Sequence, residues 1–316
     1  MTSKFYSAPF KDEHGQGMSL RFIDQPISRA IFTRFESVCK KNIEFGEIDA
    51  EQLLVLLRDA RVDLTGASDA PSARQGLDIF QAQSIRRHVI RQYNITNSHR
   101  VANEMRAIAQ KYESGESILT ISRAIRLSPY IIFRALMEHL HGAEMRDKIN
   151  LVSLGKVRAA DVFDERTARE YDDVREYDFE SVAVQMRMAH AADTRESNFI
   201  AFLRDELGIA LKTQADLYEA ATRARAQPVT PDALFTSPVV INGVRVHWID
   251  FKAYCGTPIS FLARSVRAQH DKYVRAFGPG FIVYEHGFAE PIEYSAVSAR
   301  ALRDIIEKGL TRAILV

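Results

Sequence analysis

The sequence predicts two architectures in one chain, a helical N-terminal half followed by an α/β half. Apolar residues recur at helical spacing from Ile27 to Arg61 and, beyond a turn-rich break at residues 65–71, to about residue 142. After residue 190, β-rich runs alternate with amphipathic helices, which is the order typical of an α/β layer. The 316 residues are enough for one large domain or two modest ones.

Composition narrows the class of protein but not its partner. The chain is 46% hydrophobic and 26% charged, as in globular proteins, and its net charge of +1 leaves nucleic-acid binding to local basic patches. Cys39 and Cys255 lie far apart, which argues against a disulfide framework or a cysteine zinc site and favours a reducing compartment. No apolar run has signal-peptide or membrane-spanning character. We therefore expect no membrane partner and a nuclear or cytoplasmic location.

Changes in pattern divide the chain into four expected segments. The first 17 residues are polar and contain glycine, so we expect a mobile tail there. Acidic and basic residues nearly alternate over residues 161–180, which is typical of a solvated helical face or a connector. The segments are 1–70 (tail and helical segment), 71–145 (helix-turn-helix region), 146–190 (helical connector) and 191–316 (α/β domain).

Residues 117–140 show the bipartite pattern of a helix-turn-helix. A short helix through Arg126 is followed by a turn, after which Ser128 is a good N-cap and Pro129 suits the first helical position. In a helix-turn-helix the second helix enters the major groove of DNA. Two short helices with a tight turn also occur in bundles that bind no DNA, so both interpretations stay open. The candidate nucleic-acid contacts, expected to be exposed, are Arg123, Arg126, Tyr130 and Arg134.

The sequence of the second half predicts, in order, a helix, two strands, a helix and a strand. An amphipathic helix over Glu196–Leu207 is expected to end at Gly208. Thr257 and Pro258 suit the N-cap and first position of a later helix that ends before Gly278. The remaining expected elements are strands at 229–240, 244–254 and 280–285, a helix over about 296–308, and a terminal strand in residues 312–316.

The strands bring charged side chains into register. Asn242-Gly243, flanked by apolar runs, predicts a two-residue type I′ hairpin turn. Strand alternation then places Trp248, Asp250 and Lys252 on one face together with Val244 and Val246. Asp232 begins the preceding strand, so it can reach the same end of the hairpin as Asp250.

This pattern suits phosphodiester hydrolysis. Paired carboxylates such as Asp232 and Asp250 can hold Mg²⁺ or Mn²⁺, and a nearby lysine, Lys252, can polarise a phosphate or help to deprotonate water. Glu196 can add a third carboxylate, and Gln269 can orient substrate or water. Taken singly, Thr-Pro-Asp is typical of a turn or cap and Asp-x-Lys of a surface pair. All five residues in this order form the candidate site.

At these residues the chain resembles the TPD-motif family of the PD-(D/E)xK nuclease superfamily, whose vertebrate members include a codanin-interacting nuclease. The resemblance is strong over about residues 228–290 and weaker but collinear back to about residue 75. One departure is Asp250, where the vertebrate member has Glu; the superfamily accepts either acid. The matching motifs are Thr230-Pro231-Asp232, His247-Trp248-Ile249-Asp250-Phe251-Lys252, Phe277-Gly278-Pro279-Gly280 and Gly287-Phe288.

The resemblance implies a restriction-endonuclease-like PD-(D/E)xK α/β domain preceded by a helix-turn-helix. It implies metal ligation by Glu196, Asp232 and Asp250, a catalytic role for Asp232, Asp250, Lys252 and Gln269, and Mg²⁺ or Mn²⁺ as cofactor. The implied activity is a nuclease on duplex, single-stranded or junction DNA, with a codanin-like protein as a further expected partner. An inactive nuclease-fold DNA-binding protein or chromatin-assembly adaptor is the alternative.

Overall fold

A computed structural model describes residues 4–13, 15–65 and 76–309, and the chain forms two compact units. The sheet unit consists of residues 1–35, 57–85 and 191–316, and the helical unit of residues 36–56 and 86–190. The units are discontinuous in sequence, whereas the expected segments are consecutive. Among the helices of the described ranges, none has the length and apolar character needed to cross a membrane.

The protein is a mixed α/β protein, as predicted. Its elements are, in chain order, β1 Lys4–Asp12, β2 Gly15–Ile23, α1 Arg29–Lys41, α2 Ala50–Asp59, β3 Asp63–Leu64, β4 Gly76–Leu77, α3 Ile79–Asn97, α4 Arg100–Glu113, α5 Ile118–Ile125, α6 Pro129–His141, α7 Met145–Ser153, α8 Glu165–Tyr177, α9 Val182–Ala201, β5 Leu211–Thr213, α10 Gln214–Arg223, β6 Ala233–Ile241, β7 Val244–Lys252, α11 Ser260–Phe277, β8 Gly280–Tyr284, β9 Ala296–Ser298 and α12 Arg303–Lys308.

The sheet unit is built on a mixed sheet of strand order β1-β2-β6-β7-β8-β9, with β5 also paired to β6. Strands β1 and β2 form an antiparallel hairpin, and β2 joins β6 in parallel. The mobile tail expected over residues 1–17 is therefore wrong over its described part, residues 4–13 and 15–17. The physical reason is burial, because Leu20 and Phe22 alternate into the main apolar core of the sheet.

The β6–β7 hairpin turns where the sequence predicts. Asn242 and Gly243 both have positive φ, 49° and 84°, as a type I′ turn requires. The pairing shifts register between Leu234 and Val239, and this irregularity interrupts the expected alternation. Val246 packs in the same core cluster as Ile249 and Phe251, whereas Trp248 packs in a different cluster. The expectation that Val246 shares the face of Trp248 is therefore wrong.

Helix α11 follows the hairpin and crosses back to β8. The expected N-cap at Thr257 is wrong: the helix begins at Ser260, and Gly256 pairs instead with Phe288 in an isolated bridge. Its end is as predicted, since Gly278 has φ +86°. A Cβ on Gly280 would lie 2.2 Å from the Trp248 ring, so glycine there gives the indole its space.

The end of the described chain differs from the expected single helix over residues 296–308. Residues Ala296–Ser298 form strand β9, parallel to β8, and only Arg303–Lys308 is α-helical. Val297 and Ser298 are buried, so tertiary pairing overrides the helical pattern. The expected terminal strand at 312–316, and most of the expected break at 65–71, lie outside the described residues.

In the helical unit, α5 and α6 are joined by a tight turn, as predicted. Arg126 ends α5 in the left-handed region with φ +54°. Ser128 Oγ accepts from Ile131 N, and Pro129 takes the first helical position. The buried Asp178 carboxylate accepts from Ser128 Oγ at 2.5 Å and from Tyr130 N at 2.9 Å. The start of α6 is therefore fixed both by its own cap and by a residue distant in sequence.

Candidate active site

Asp232 is the residue immediately before β6, and it is fixed to β7. The side chain is buried, 6% exposed, and its Oδ2 accepts a hydrogen bond from Phe251 N at 2.6 Å. Since Phe251 lies between Asp250 and Lys252 in the strand, this bond brings all three charged side chains to one end of the hairpin. The sequence prediction that Asp232 and Asp250 lie at the same end is confirmed.

Asp250 and Lys252 form a buried ion pair. Lys252 Nζ lies 2.5 Å from Asp250 Oδ2, and Asp250 is 1% exposed. Burial alone would lower the pKa of Lys252, but the Asp250 carboxylate raises it above its ordinary value, so the ammonium stays charged. Burial in turn raises the pKa of Asp250, and the lysine opposes that rise. The pair therefore holds a cation beside a buried carboxylate.

Glu196 on α9 is the third acid of the site. Burial and the Asp250 carboxylate raise the pKa of Glu196, while Lys252 lowers it. The helix continues past Ala201 into a π-helical turn over Phe202–Glu206, and Phe199 stacks on Phe251 with ring centroids 5.0 Å apart. This stacking holds α9 against β7, the strand that carries Asp250.

Gln269 and Tyr273 reach the carboxylates from α11. Gln269 Nε2 donates to Asp250 Oδ1 at 3.3 Å and to the Tyr273 hydroxyl at 2.9 Å. The Tyr273 hydroxyl donates to Thr230 O at 3.0 Å, and its ring lies edge-on to Trp248. Sequence reasoning missed Tyr273. Its signal was the spacing of four residues after Gln269, which places the two side chains on one helical face.

The pKa of Asp232 is shifted by burial and by the neighbouring acids. Burial, followed by the charges of Asp250 and Glu196, raises the pKa of Asp232 to about 8, against only partial compensation by Lys252. With a pKa near 8, Asp232 is largely protonated at neutral pH, which relieves the repulsion among three acids that share one lysine. Such perturbation in a cluster of buried acids is typical of functional sites.

The donor set suits a hard divalent cation, because it is made of carboxylate oxygens. Over residues 4–13, 15–65 and 76–309, however, no group of three or more His, Cys, Asp or Glu side chains has the arrangement that holds a metal ion. Glu196, Asp232 and Asp250 are thus electrostatic neighbours in this structure. Their assignment as metal ligands stays a prediction.

The four side chains of the helical unit that were expected to contact nucleic acid differ in their solvent exposure. Arg123 and Arg126 are exposed, and Arg126 donates to Lys40 O and Lys41 O. Tyr130 is 4% exposed and its hydroxyl bonds to Ser153 Oγ, so its expected exposure is wrong. The reason is that it faces the helical core in the first turn of α6. Arg134 is partly buried, with its guanidinium carbon 5.9 Å from the Tyr130 ring centroid.

Comparison with known proteins finds a family model that matches part of the chain. Residues 163–305, which include all five site residues, match the model described as "Protein of unknown function TPD sequence-motif". An uncharacterised protein, L539, of Acanthamoeba polyphaga mimivirus is 36% identical over 95 residues, 29% of this chain and 33% of that protein. No solved structure matches the chain.

Other relatives are named CDAN1-interacting nuclease 1. The Gallus gallus protein is 34% identical over 86 residues, 27% of this chain and 31% of its own length. The Homo sapiens protein is 34% identical over 82 residues, 26% of this chain and 29% of its own length. The matches therefore span about a third of these curated relatives. The resemblance to the TPD-motif family is confirmed over residues 163–305.

Proposed function

We propose that the chain is a metal-dependent nuclease that hydrolyses phosphodiester bonds in DNA, including structured or single-stranded DNA. The observation that carries the proposal is the Asp232–Phe251 hydrogen bond, which gathers Asp232, Asp250 and Lys252 at one end of the hairpin. The name nuclease in relatives of the same region supports it. A buried cluster of this kind costs folding free energy, so a chemical role is its simplest explanation.

The order of elements also supports a restriction-endonuclease-like PD-(D/E)xK fold. A helix bearing Glu196 precedes Asp232, the hairpin leads to Asp250 and Lys252, and α11 brings Gln269 back to them. The sheet mixes parallel and antiparallel pairs around this site.

Each residue has a distinct part in the proposed reaction. Asp232, Asp250 and Glu196 would hold Mg²⁺ or Mn²⁺, and the ion would supply Lewis-acid stabilisation of charge on the phosphate. The charged Lys252 ammonium lies where it can hydrogen-bond a phosphate oxygen or the attacking water. Gln269 donates to Asp250 and fixes that carboxylate, and its amide can also orient water.

We propose further that the α5–α6 pair acts as a helix-turn-helix that positions DNA. Exposed Arg123 and Arg126 support this part of the proposal, because arginine binds phosphate and guanine edges through paired hydrogen bonds. We expect the protein to act in the nucleus or the cytoplasm.

The test is a Mn²⁺-dependent cleavage assay with single-stranded, duplex, flap and junction DNA, with RNA as comparison. Asp232→Ala should abolish cleavage, and so should Asp232→Asn, which keeps the shape and an acceptor for Phe251 N. Circular dichroism would verify the fold of both variants. Undiminished cleavage by the Asp232→Asn protein would overturn the assignment.

A second candidate is an adaptor in chromatin assembly that keeps an inactive nuclease fold. Its specific support is the phrase CDAN1-interacting in the names of the relatives. Co-purification with a codanin-like protein, with no cleavage of any substrate and DNA affinity independent of divalent metal, would favour this function over the nuclease.

A further inference from the structure

The outer face of α11 carries a concentration of positive charge that the proposed reaction does not use. The helix has four basic residues and one acidic residue, a net charge of +3 in a chain whose total is +1. All four basic residues are exposed. Arg267 is neutralised, since it pairs with Glu293 and lies 4.0 Å from Asp271. The remaining three, Arg264, Lys272 and Arg275, form no ion pair within the described ranges and are called here the α11 basic face.

Helical geometry places these three cations on one side. At about 100° per residue, Arg264, Lys272 and Arg275 lie within an arc of about 80°, and they span about 16 Å along the axis. The opposite side is buried through Val266 and Tyr273. The exposed charges are therefore not needed for packing, and all three lie on the solvent side of the helix.

One contact and one neighbouring side chain connect the α11 basic face to the candidate active site. Lys272 Nζ donates to Pro228 O at 3.4 Å, just ahead of the Thr230-Pro231-Asp232 segment. Gln269, which donates to Asp250, lies about 60° around the helix from Lys272. One edge of the α11 basic face, at Lys272, thus lies towards Gln269 and the carboxylates, and Arg264 and Arg275 extend the face in both directions along the helix.

We propose that Arg264, Lys272 and Arg275 bind the phosphate backbone of nucleic acid and hold it beside the carboxylate site. This inference rests on the proposed nuclease function and names the surface that receives its substrate. Phosphates suit the face because unpaired exposed cations gain free energy when they replace condensed counterions on nucleic acid. The lysine of the carboxylate site, Lys252, is already paired with Asp250, so a neighbouring source of unpaired positive charge helps to retain the substrate.

The test measures binding separately from cleavage. Anisotropy of a short fluorescein-labelled DNA duplex would be titrated with wild-type protein in EDTA, between about 50 and about 200 mM salt. In the Lys272→Ala/Arg275→Ala protein we expect the slope of log affinity against log salt to fall by about 1.8, corresponding to two phosphate contacts. Affinity at low salt should fall at least tenfold.

Matched variants make the result specific. Lys148→Ala/Lys156→Ala removes the same charge from exposed positions of the helical unit and should leave the slope unchanged. Lys272→Arg/Arg275→Lys keeps the charge and should retain the slope. An unaltered slope in the Lys272→Ala/Arg275→Ala protein, or an equal loss in the Lys148→Ala/Lys156→Ala protein, would overturn the proposal. So would equally tight binding of a polyglutamate peptide, which would indicate an acidic protein as the partner.

The outcomes also separate this inference from the proposed function. A reduced salt slope in the Lys272→Ala/Arg275→Ala protein, without cleavage of any substrate by the wild type, would support phosphate binding by the α11 basic face and exclude the nuclease function. Metal-dependent cleavage with an unchanged slope would support the nuclease function and exclude phosphate binding by the α11 basic face.

Discussion

Tyr273 shows how one side chain can set the geometry of the candidate site. Its hydroxyl accepts from Gln269 and donates to Thr230 O, so it connects α11 to the segment that carries Asp232. Burial and the neighbouring Asp250 raise the pKa of Tyr273 to about 12, which keeps the hydroxyl protonated and able to donate. We therefore regard Tyr273 as a positioning residue.

Tyr273→Phe keeps the ring against Trp248 and removes the hydrogen bonds of the hydroxyl, which include those to Gln269 and Thr230 O. We expect the proposed cleavage rate to fall roughly 10- to 100-fold, because small misplacement of reacting groups is costly in rate. Cleavage assays with saturating substrate and thermal unfolding would measure the two effects. Tyr273→Ala is the contrasting variant and should also lower the unfolding temperature. An unchanged rate in Tyr273→Phe would exclude the positioning role.

His88 on α3 makes stability depend on pH in the helical unit. Burial, with smaller contributions from Arg91 and Arg87, lowers the pKa of His88 to about 3. The unfolded chain takes up a proton near pH 6.5 whereas the folded chain does not, so stability is lost as pH falls below that value.

We expect His88→Gln to reduce this acid sensitivity. Between about pH 7 and about pH 5 the wild-type free energy of unfolding should fall by roughly 1–2 kcal/mol more than that of the variant. Urea unfolding of both proteins at the two pH values measures the difference. Equal loss in both proteins would show that His88 is protonated without cost in the folded state.

At the scale of elements, one turn residue adds side-chain hydrogen bonds to the β2–β6 pairing that joins the N-terminal hairpin to the site-bearing hairpin. Asn242 Oδ1 accepts from Phe22 N at 2.8 Å, and its Nδ2 donates to Phe22 O at 3.1 Å. Asn242 also adopts the positive φ of the turn. The same residue therefore fixes the register of β6–β7 and joins that hairpin to β2.

Asn242→Asp separates these two roles, because Asp tolerates positive φ but lacks the donor for Phe22 O. We expect a loss of about 1–2 kcal/mol in the free energy of unfolding. Asn242→Gly, which keeps the turn and loses both bonds, should cost at least as much. Denaturant unfolding provides the measurement, and wild-type stability in both variants would contradict the role of these bonds.

The sequence predicted correctly those turns, caps and helix ends that depend on residues adjacent in the chain. The Asn242-Gly243 turn, the Ser128 cap and the end of α11 at Gly278 each depend on a residue's own backbone preference or hydrogen bond. The start of α11 and strand β9 were mispredicted because their partners, Phe288 and β8, are distant in sequence or belong to another element. Pairing with such partners overrides a helical pattern without leaving a local trace.

For the candidate site, sequence order predicted the gathering of Asp232, Asp250 and Lys252. It could not predict that Tyr273 joins them, since a tyrosine on a helix more often packs in a core than contacts a functional site. It also misjudged Tyr130, because exposure within the first turn of α6 depends on how that helix packs in its core.

At the scale of the whole molecule, DNA contacts are proposed for both compact units and chemistry for the sheet unit alone. The carboxylates and the α11 basic face belong to the sheet unit, and Arg123 belongs to the helical unit. If the two units contact separate parts of a DNA substrate, substitutions in them act on binding independently. Independent substitutions add in free energy to within about 0.5 kcal/mol.

We therefore expect Arg123→Ala to weaken DNA binding by about 1 kcal/mol, and its effect to add to that of Lys272→Ala/Arg275→Ala. The combined variant should show the sum of the two losses in anisotropy titrations at one salt concentration. Arg58→Ala, an exposed arginine of the sheet unit away from the α11 basic face in sequence, is the charge control. At saturating substrate Arg123→Ala should leave the cleavage rate unchanged, because Arg123 contributes affinity and not chemistry. A loss smaller than the sum by more than about 1 kcal/mol would show that the two surfaces bind the same segment of DNA.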